Sequence, residues 1–260
     1  NPSALIERAQ ANQVTMMSIT DHDTVSAYDS VDWPTSLRLI PGVEFSTTWK
    51  NANVHIVGLN INPAEKSLRG ACKLQREGRI NRAKKISRAL FKNGLVAHPD
   101  TALRDVLEIA GSSQIGRPHF ARYLVSIGVC PDDRSAFKSY LSEGKIGDVK
   151  DYWPDMEKAI KWIHDAGGDS VLAHPAKYKM SRTRLSAMIG DFKSLGGRAI
   201  EIYSGQQGAD VTKTMVRLGE SQDLQSSCGS DFHGPGRPWS ELGKVPELPA
   251  RCSPVWKSWS

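Results

Sequence analysis

The chain has 260 residues, which suits one large α/β domain or one domain carrying an insertion. Charged residues make up 24% and hydrophobic residues 39%, so a disordered or fibrous chain is excluded. No apolar run approaches the ~20 residues that cross a bilayer, so no membrane partner is expected. The net charge of +6 favours anionic partners without selecting one.

Asn1-Pro2 can serve as N-cap and first helical residue for SALIERAQA. VTMMSIT follows as a strand candidate. RLIPGVEFST and NVHIVGLNI are two more, joined by the polar turn WKNAN. From 62 to 150 the pattern is helical almost throughout, with candidates at 64–93, 101–110, 118–127 and 132–143. Residues 155–167 read as helix, DSVLAHP as strand into loop, and SRTRLSAMIGDFKSLGG as helix with a glycine stop. RAIEIYS reads as strand, 209–221 as helix, and LQSSCGSDFH as strand into loop. Strand and helix alternate at both ends of the chain, which predicts a parallel, barrel-like or doubly wound sheet.

Charge separates the middle from the rest. Residues 62–150 hold 17 Lys+Arg against 9 Asp+Glu, whereas the remainder holds 17 against 19. The expected organisation is therefore a first sheet segment (1–61), a basic helical insertion that handles substrate (62–150), and a second sheet segment (151–260). Within it, 66–92 carries ten Lys/Arg and one Glu, Glu77. Lys66, Arg69, Lys73 and Arg76 share one helix face. A solvated helix surface and an RNA-tracking surface both account for this run.

Four of the seven histidines occupy comparable places. His22 follows a strand in ITDHDT. His55 opens VHIVGL, just after Glu44 in PGVEFS. His174 follows a strand in VLAHP, and His233 lies two residues after Asp231 in GSDFH. In α/β sheets the site forms at the carboxyl ends of strands. Imidazole and carboxylate converging there suit Zn²⁺, Mn²⁺ or Fe. His98 and His164 read as structural residues. There is no GxSxG elbow, no cysteine in a catalytic setting, and no GxxxxGK[ST] or GxGxxG loop.

TDHDT, PGVE, HIVGLNI, LAHP and GSDFH, in this order and spacing, resemble the PHP (polymerase and histidinol phosphatase) family of metal-dependent phosphoesterases. GRPHFARYLV and PWSELGK resemble its bacterial branch of 3',5'-nucleoside bisphosphate phosphatases and RNase AM-type 5'-3' exonucleases. The resemblance covers nearly the whole chain. It implies a distorted (β/α)7 barrel holding up to three ions, with Mn²⁺ expected first and Fe or Zn²⁺ as alternatives. The implied ligands are His22, Glu44, His55, His174, Asp231 and His233, with Asp21 and Asp23 as supports for His22.

The family pattern also opens with a His-x-His strand and an Asp, which this chain does not contain. It begins at Asn-Pro without a Met, so an N-terminally incomplete chain lacking the first barrel strand is expected, and a leader is not excluded. In such a chain the Glu44/His55/His174 site is the one expected to keep a metal.

The implied reaction is hydrolysis of a phosphate ester by metal-generated hydroxide. His22, Asp231 and His233 would be the catalytic residues, and the substrates a nucleoside bisphosphate or monophosphate and short RNA 5' ends. Arg117 and His119, at the start of a helix, and Arg122 one turn on would anchor a phosphate. Lys177, where close relatives tend to carry Arg, would add a point charge. The alternatives are a histidinol-phosphatase-like phosphomonoesterase and a non-catalytic PHP module. Four widely spaced cysteines (Cys72, Cys130, Cys228, Cys252) fit reduced thiols in a cytoplasmic protein.

Overall fold

The computed structural model describes residues 1–149 and 153–259. They divide into two compact units. One comprises Asn1–Cys72 with Pro154–Ser260, and the other Lys73–Trp153. The first division falls inside a helix, whereas the boundary expected at 150–151 lies outside the described residues.

In the first unit a sheet of six strands runs in chain order: β1 (Met16–Ile19), β2 (Arg38–Trp49), β3 (Ala52–Leu59), β4 (Asp169–Leu172), β5 (Ala199–Ser204) and β6 (Gln225–Gly229). β1 pairs parallel with β2, and β4, β5 and β6 pair parallel in turn, while β3 is antiparallel to both of its neighbours. The reversal comes from a two-residue hairpin in which Lys50 and Asn51 both take left-handed φ values, 44° and 64°. Every strand except β3 thus points its carboxyl end at one rim, and β3 points its amino end there.

The sheet curls into a distorted barrel. A flat sheet of six strands would separate the first and last by ~24 Å, yet the rings of His22, after β1, and His233, after β6, have centroids 5.8 Å apart. Three helices cover the outside. α6 (Met156–Asp165) and α7 (Arg182–Ser194) pack Ile160, Ile163, Met188 and Phe192 against Val43, Phe45, Val54 and Ile56. α8 (Ala209–Ser221) lies over β5 and β6. The alternate strand residues face inward, and their character changes along each strand. Val57, Leu59, Val171 and Ala199 meet Val255, Trp256 and Trp259 of the C-terminal segment in an apolar floor. Glu44, His55 and Glu201 occupy the same face nearer the rim.

Tyr28 locks β1 to β2. Its hydroxyl oxygen accepts the Ile19 and Gly42 N–H groups at 3.1 and 2.8 Å, and its proton goes to the Ile19 carbonyl at 2.6 Å. Burial pushes its pKa up to about 12. Gly42 is required beside it, since a Cβ there would lie 2.9 Å from the Gly58 carbonyl oxygen. Tyr28→Phe leaves two backbone N–H groups unpaired, so a loss of ~1–3 kcal/mol is expected. A urea midpoint that does not move would contradict this.

The other elements of this unit include α1 (Pro2–Ala11), capped by the Asn1 side chain as expected. α2 (Lys66–Lys92) carries the division between the units. The second unit has its own core, built from Ile86, Leu90, Val106, Phe120, Leu124 and Leu141. It contains α3 (Pro99–Ala110), α4 (Arg117–Ser126) and the short α5 (Asp133–Ala136). The helix expected at 132–143 is realised as α5 followed by a wider π turn over Phe137–Leu141.

Candidate metal centre

The turn ITDHDT is fastened to β2 by backbone and side chain. Asp23 N–H donates to the Glu44 carbonyl at 2.9 Å, and Glu44 N–H donates to the Asp21 carbonyl at 3.2 Å. The buried Asp23 carboxylate accepts the Ser46 N–H at 2.7 Å. Asp23 reaches this geometry through a left-handed φ of 57°, which aspartate tolerates better than most residues. His22 is thereby held with Nδ1 3.9 Å from Glu44 Oε2. Burial raises the Asp21 pKa, opposed by the nearby His233.

The β2–β3 register places His55 opposite Ser46, one step along from Glu44. His55 Nδ1 lies 2.7 Å from Glu44 Oε1. His174, after β4, also has a left-handed φ, 33°. Its Nε2 lies 3.0 Å from Glu44 Oε1 and 3.1 Å from His55 Nδ1. Two residues without a sequence-level signal hold this pair in place. Glu201 Oε2 accepts the His174 N–H at 2.6 Å, and the Tyr178 hydroxyl accepts the His55 N–H at 2.8 Å.

Burial alone would raise the Glu44 pKa, but His22, His55 and His174 overcome it and hold the carboxyl well below 4.5. Burial lowers and Glu44 raises His174, whose pKa ends above the ordinary 6.5. Glu201 has no such set of cations, and burial lifts it to about 7.

The donor chemistry fits a divalent cation. Glu44 Oε1, His55 Nδ1 and His174 Nε2 form a triangle of lone-pair atoms with sides of 2.7, 3.0 and 3.1 Å. One shared proton cannot satisfy all three, whereas one cation can. Ligand bonds of ~2.0–2.1 Å in a tetrahedron imply edges of ~3.4 Å, so small shifts would admit the ion. His22, Glu44 and His55 likewise offer ligand atoms within 4.8 Å of one another.

Asp231 and His233 form a second group beside the first. Asp231 takes a left-handed φ of 53°. Its carboxylate accepts from Lys177, and its Oδ1 lies 3.6 Å from His233 Nδ1. The His22 ring connects the groups, 5.0 Å from the His55 ring and 5.8 Å from that of His233.

In the second unit Arg117 and His119 open α4. Arg117 donates to the Leu141 carbonyl at 3.1 Å and lies 3.9 Å from Asp148. His119 Nδ1 accepts the Gly116 N–H at 3.0 Å, and burial and the neighbouring Arg122 lower its pKa. His119 therefore serves as a neutral helix cap, while Arg122 is exposed. Of the other histidines, His98 caps α3 and His164 faces Ser170 Oγ at 3.2 Å.

Imidazoles and carboxylates on the rim of a curled α/β sheet mark the class of α/β proteins with a divalent-metal site. No family model matches the chain. It is 38% identical over 98% of its length to a 3',5'-nucleoside bisphosphate phosphatase from Chromobacterium violaceum, covering 90% of that protein. It is 39% identical over 99% of its length to the 5'-3' exoribonuclease Rnm of Salmonella typhimurium, covering 88% of it. A structure of an amidohydrolase from Chromobacterium violaceum, with bound sulfate and no metal, superposes with a TM-score of 0.88. That match has 37% identity and covers 98% of this chain and 89% of that one. The chain belongs to the bisphosphate phosphatase and 5'-3' exoribonuclease branch of the PHP phosphoesterases, and it is a hydrolase of phosphate esters.

Proposed function

We propose that the chain removes phosphate from 3',5'-nucleoside bisphosphates and 5' nucleotides from short or 5'-phosphorylated RNA. The observation that carries this reading is the Glu44–His55–His174 triangle, set in a chain 38% identical to a bisphosphate phosphatase. These three residues would hold one cation, and His22, Asp231 and His233 would complete further positions. Mn²⁺ is the assigned metal, since mixed imidazole and carboxylate sites accept it and availability sets selectivity. Bound divalent cations supply charge against the phosphate oxygens and bring the pKa of a ligated water to ~7.

The chain's own groups do the rest. Glu44 stays anionic at neutral pH and fixes three imidazoles. One of His22 and His233, whose rings lie 5.8 Å apart at the rim, would pass a proton toward the leaving oxygen. Lys177 is a point charge for a phosphate. The helical unit is the substrate subdomain, with Arg117, His119 and Arg122 at the start of α4 as its anchor, the two arginines supplying the charge. The four unpaired cysteines fit a cytoplasmic enzyme.

The test is phosphate release from a 3',5'-nucleoside bisphosphate and nucleotide release from a short 5'-phosphorylated RNA, with Mn²⁺, Fe²⁺ and Zn²⁺ in turn. Release that requires metal, is highest with Mn²⁺ and is lost in Asp231→Asn at unchanged thermal stability is expected. Inactivity on both substrates with every metal would refute the reading.

A further inference from the structure

In the segment GPGRPWSELG, after β6, residues 235–239 are exposed, whereas the chain is anchored from the Trp239 carbonyl onward. Glu241 takes a two-pronged ion pair from Arg8 at 2.8 and 2.6 Å and lies 3.4 Å from Asn12 Nδ2. Ser240 and Leu242 are buried. The Trp239 carbonyl accepts the Gln206 N–H at 2.7 Å, which pins the backbone to the end of β5. The Trp239 indole, at the start of this anchored stretch, is 57% exposed. Among the described residues no aromatic ring or cation packs on it. The other highly exposed tryptophan, Trp33, is stacked on Tyr28 at 6.0 Å.

The Trp239 backbone passes close beside Gly205. A Cβ on Gly205 would lie 2.8 Å from the Trp239 carbonyl oxygen and 3.2 Å from the Ser230 carbonyl oxygen, so those two oxygens are no more than ~6 Å apart. Ser230 precedes Asp231, so Trp239 stands on the rim beside the Asp231–His233 group. A backbone held at the Trp239 carbonyl, with its large apolar ring in water, leaves that ring's face free for a planar partner.

We propose that Trp239 is a nucleobase-stacking platform and that it sets the preference for nucleotides over base-free phosphate esters. The proposal rests on the nucleotide reading above. Stacking holds a base by its π face, so discrimination among the four bases is weak. Trp239 therefore acts on binding and leaves the chemistry at the metal centre to other residues.

The experiment compares the intact chain with Trp239→Ala and Trp239→Phe, loaded with Mn²⁺. The substrates are a nucleoside 3',5'-bisphosphate and the corresponding abasic ribose bisphosphate. For Trp239→Ala the expected result is a rise of about 5- to 150-fold in KM for the nucleotide, with kcat nearly unchanged. The abasic substrate should show no change, and Trp239→Phe should restore most of the loss. Quenching of indole fluorescence by the nucleotide, present in the parent and absent in Trp239→Phe, reads the contact without turnover. Equal losses on both substrates, or an unchanged nucleotide KM together with unchanged quenching, would overturn the proposal. Quenching through Trp239 in a chain that does not turn over nucleotides would keep this inference and defeat the nucleotide-hydrolase reading instead.

Discussion

Replacing Glu44 by Gln is expected to abolish metal binding and activity together. Glu44 is the one group that touches every imidazole of the main cluster, with contacts of 2.7 Å to His55, 3.0 Å to His174 and 3.9 Å to His22. The amide has the same shape but carries no charge, and its NH2 can only donate. Removing a residue that merely orients a ligand costs ~10–100-fold in metal affinity, and removing the shared anionic ligand should cost more. Calorimetric titration with Mn²⁺ measures it, and an affinity within ten-fold of the parent would remove Glu44 from the ligand set.

The metal-free variant has a pH signature as well. Glu44 has a lowered pKa, so its contribution to stability is present above its ordinary 4.5 and lost as pH falls through the folded value. His174 has a raised pKa, so its contribution is present below 6.5 and lost as pH rises through the folded value. Both are present between 4.5 and 6.5. The deficit of Glu44→Gln should be largest in that window and shrink toward alkaline pH, and a deficit constant from pH 5 to 9 would contradict the coupling.

Local pattern carried most of the architecture. The strands are short apolar runs bounded by turn residues, and α3 and α8 have glycine or Pro signals at their ends. The candidates His22, His174, Asp231 and His233 were legible because each follows a strand in a loop, whereas Glu44 and His55 lie inside β2 and β3 and were legible from their places on the two strands that WKNAN joins. What local pattern could not carry was closure. In RAIEIYS, Glu201 shares a face with Ala199, the face an open sheet would give to solvent. Only when β6 curls back toward β1 does that face become interior. Arg79 is a parallel case. It is one of ten cations in the 66–92 run, yet it is buried, with its guanidinium 5.5 Å from the Trp153 ring centroid and NH1 3.3 Å from the Ile115 carbonyl. Glu241 pairs with Arg8 across most of the chain's length, a contact that no sequence window spans.

The Glu201 carboxylate is the residue most exposed to a test, because its place in the barrel and its lack of a cation partner pull in opposite directions. A carboxyl lifted to about 7 by burial is costly to keep unless it does something. Its one strong contact is the 2.6 Å bond from the His174 N–H, at a residue whose φ of 33° needs outside support. Glu201 is therefore a positioning residue that keeps the His174 ring turned toward Glu44. Glu201→Ala should weaken Mn²⁺ binding by ~10–100-fold, the range for losing an outer partner of a ligand. Glu201→Gln keeps an oxygen that accepts the same N–H, so it should recover most of that affinity. A merely structural role would lower thermal stability in both variants and leave the Mn²⁺ affinity of the folded fraction alone. Equal metal affinity in the parent and Glu201→Ala, measured where both are fully folded, would show that the 2.6 Å bond does not orient the ligand.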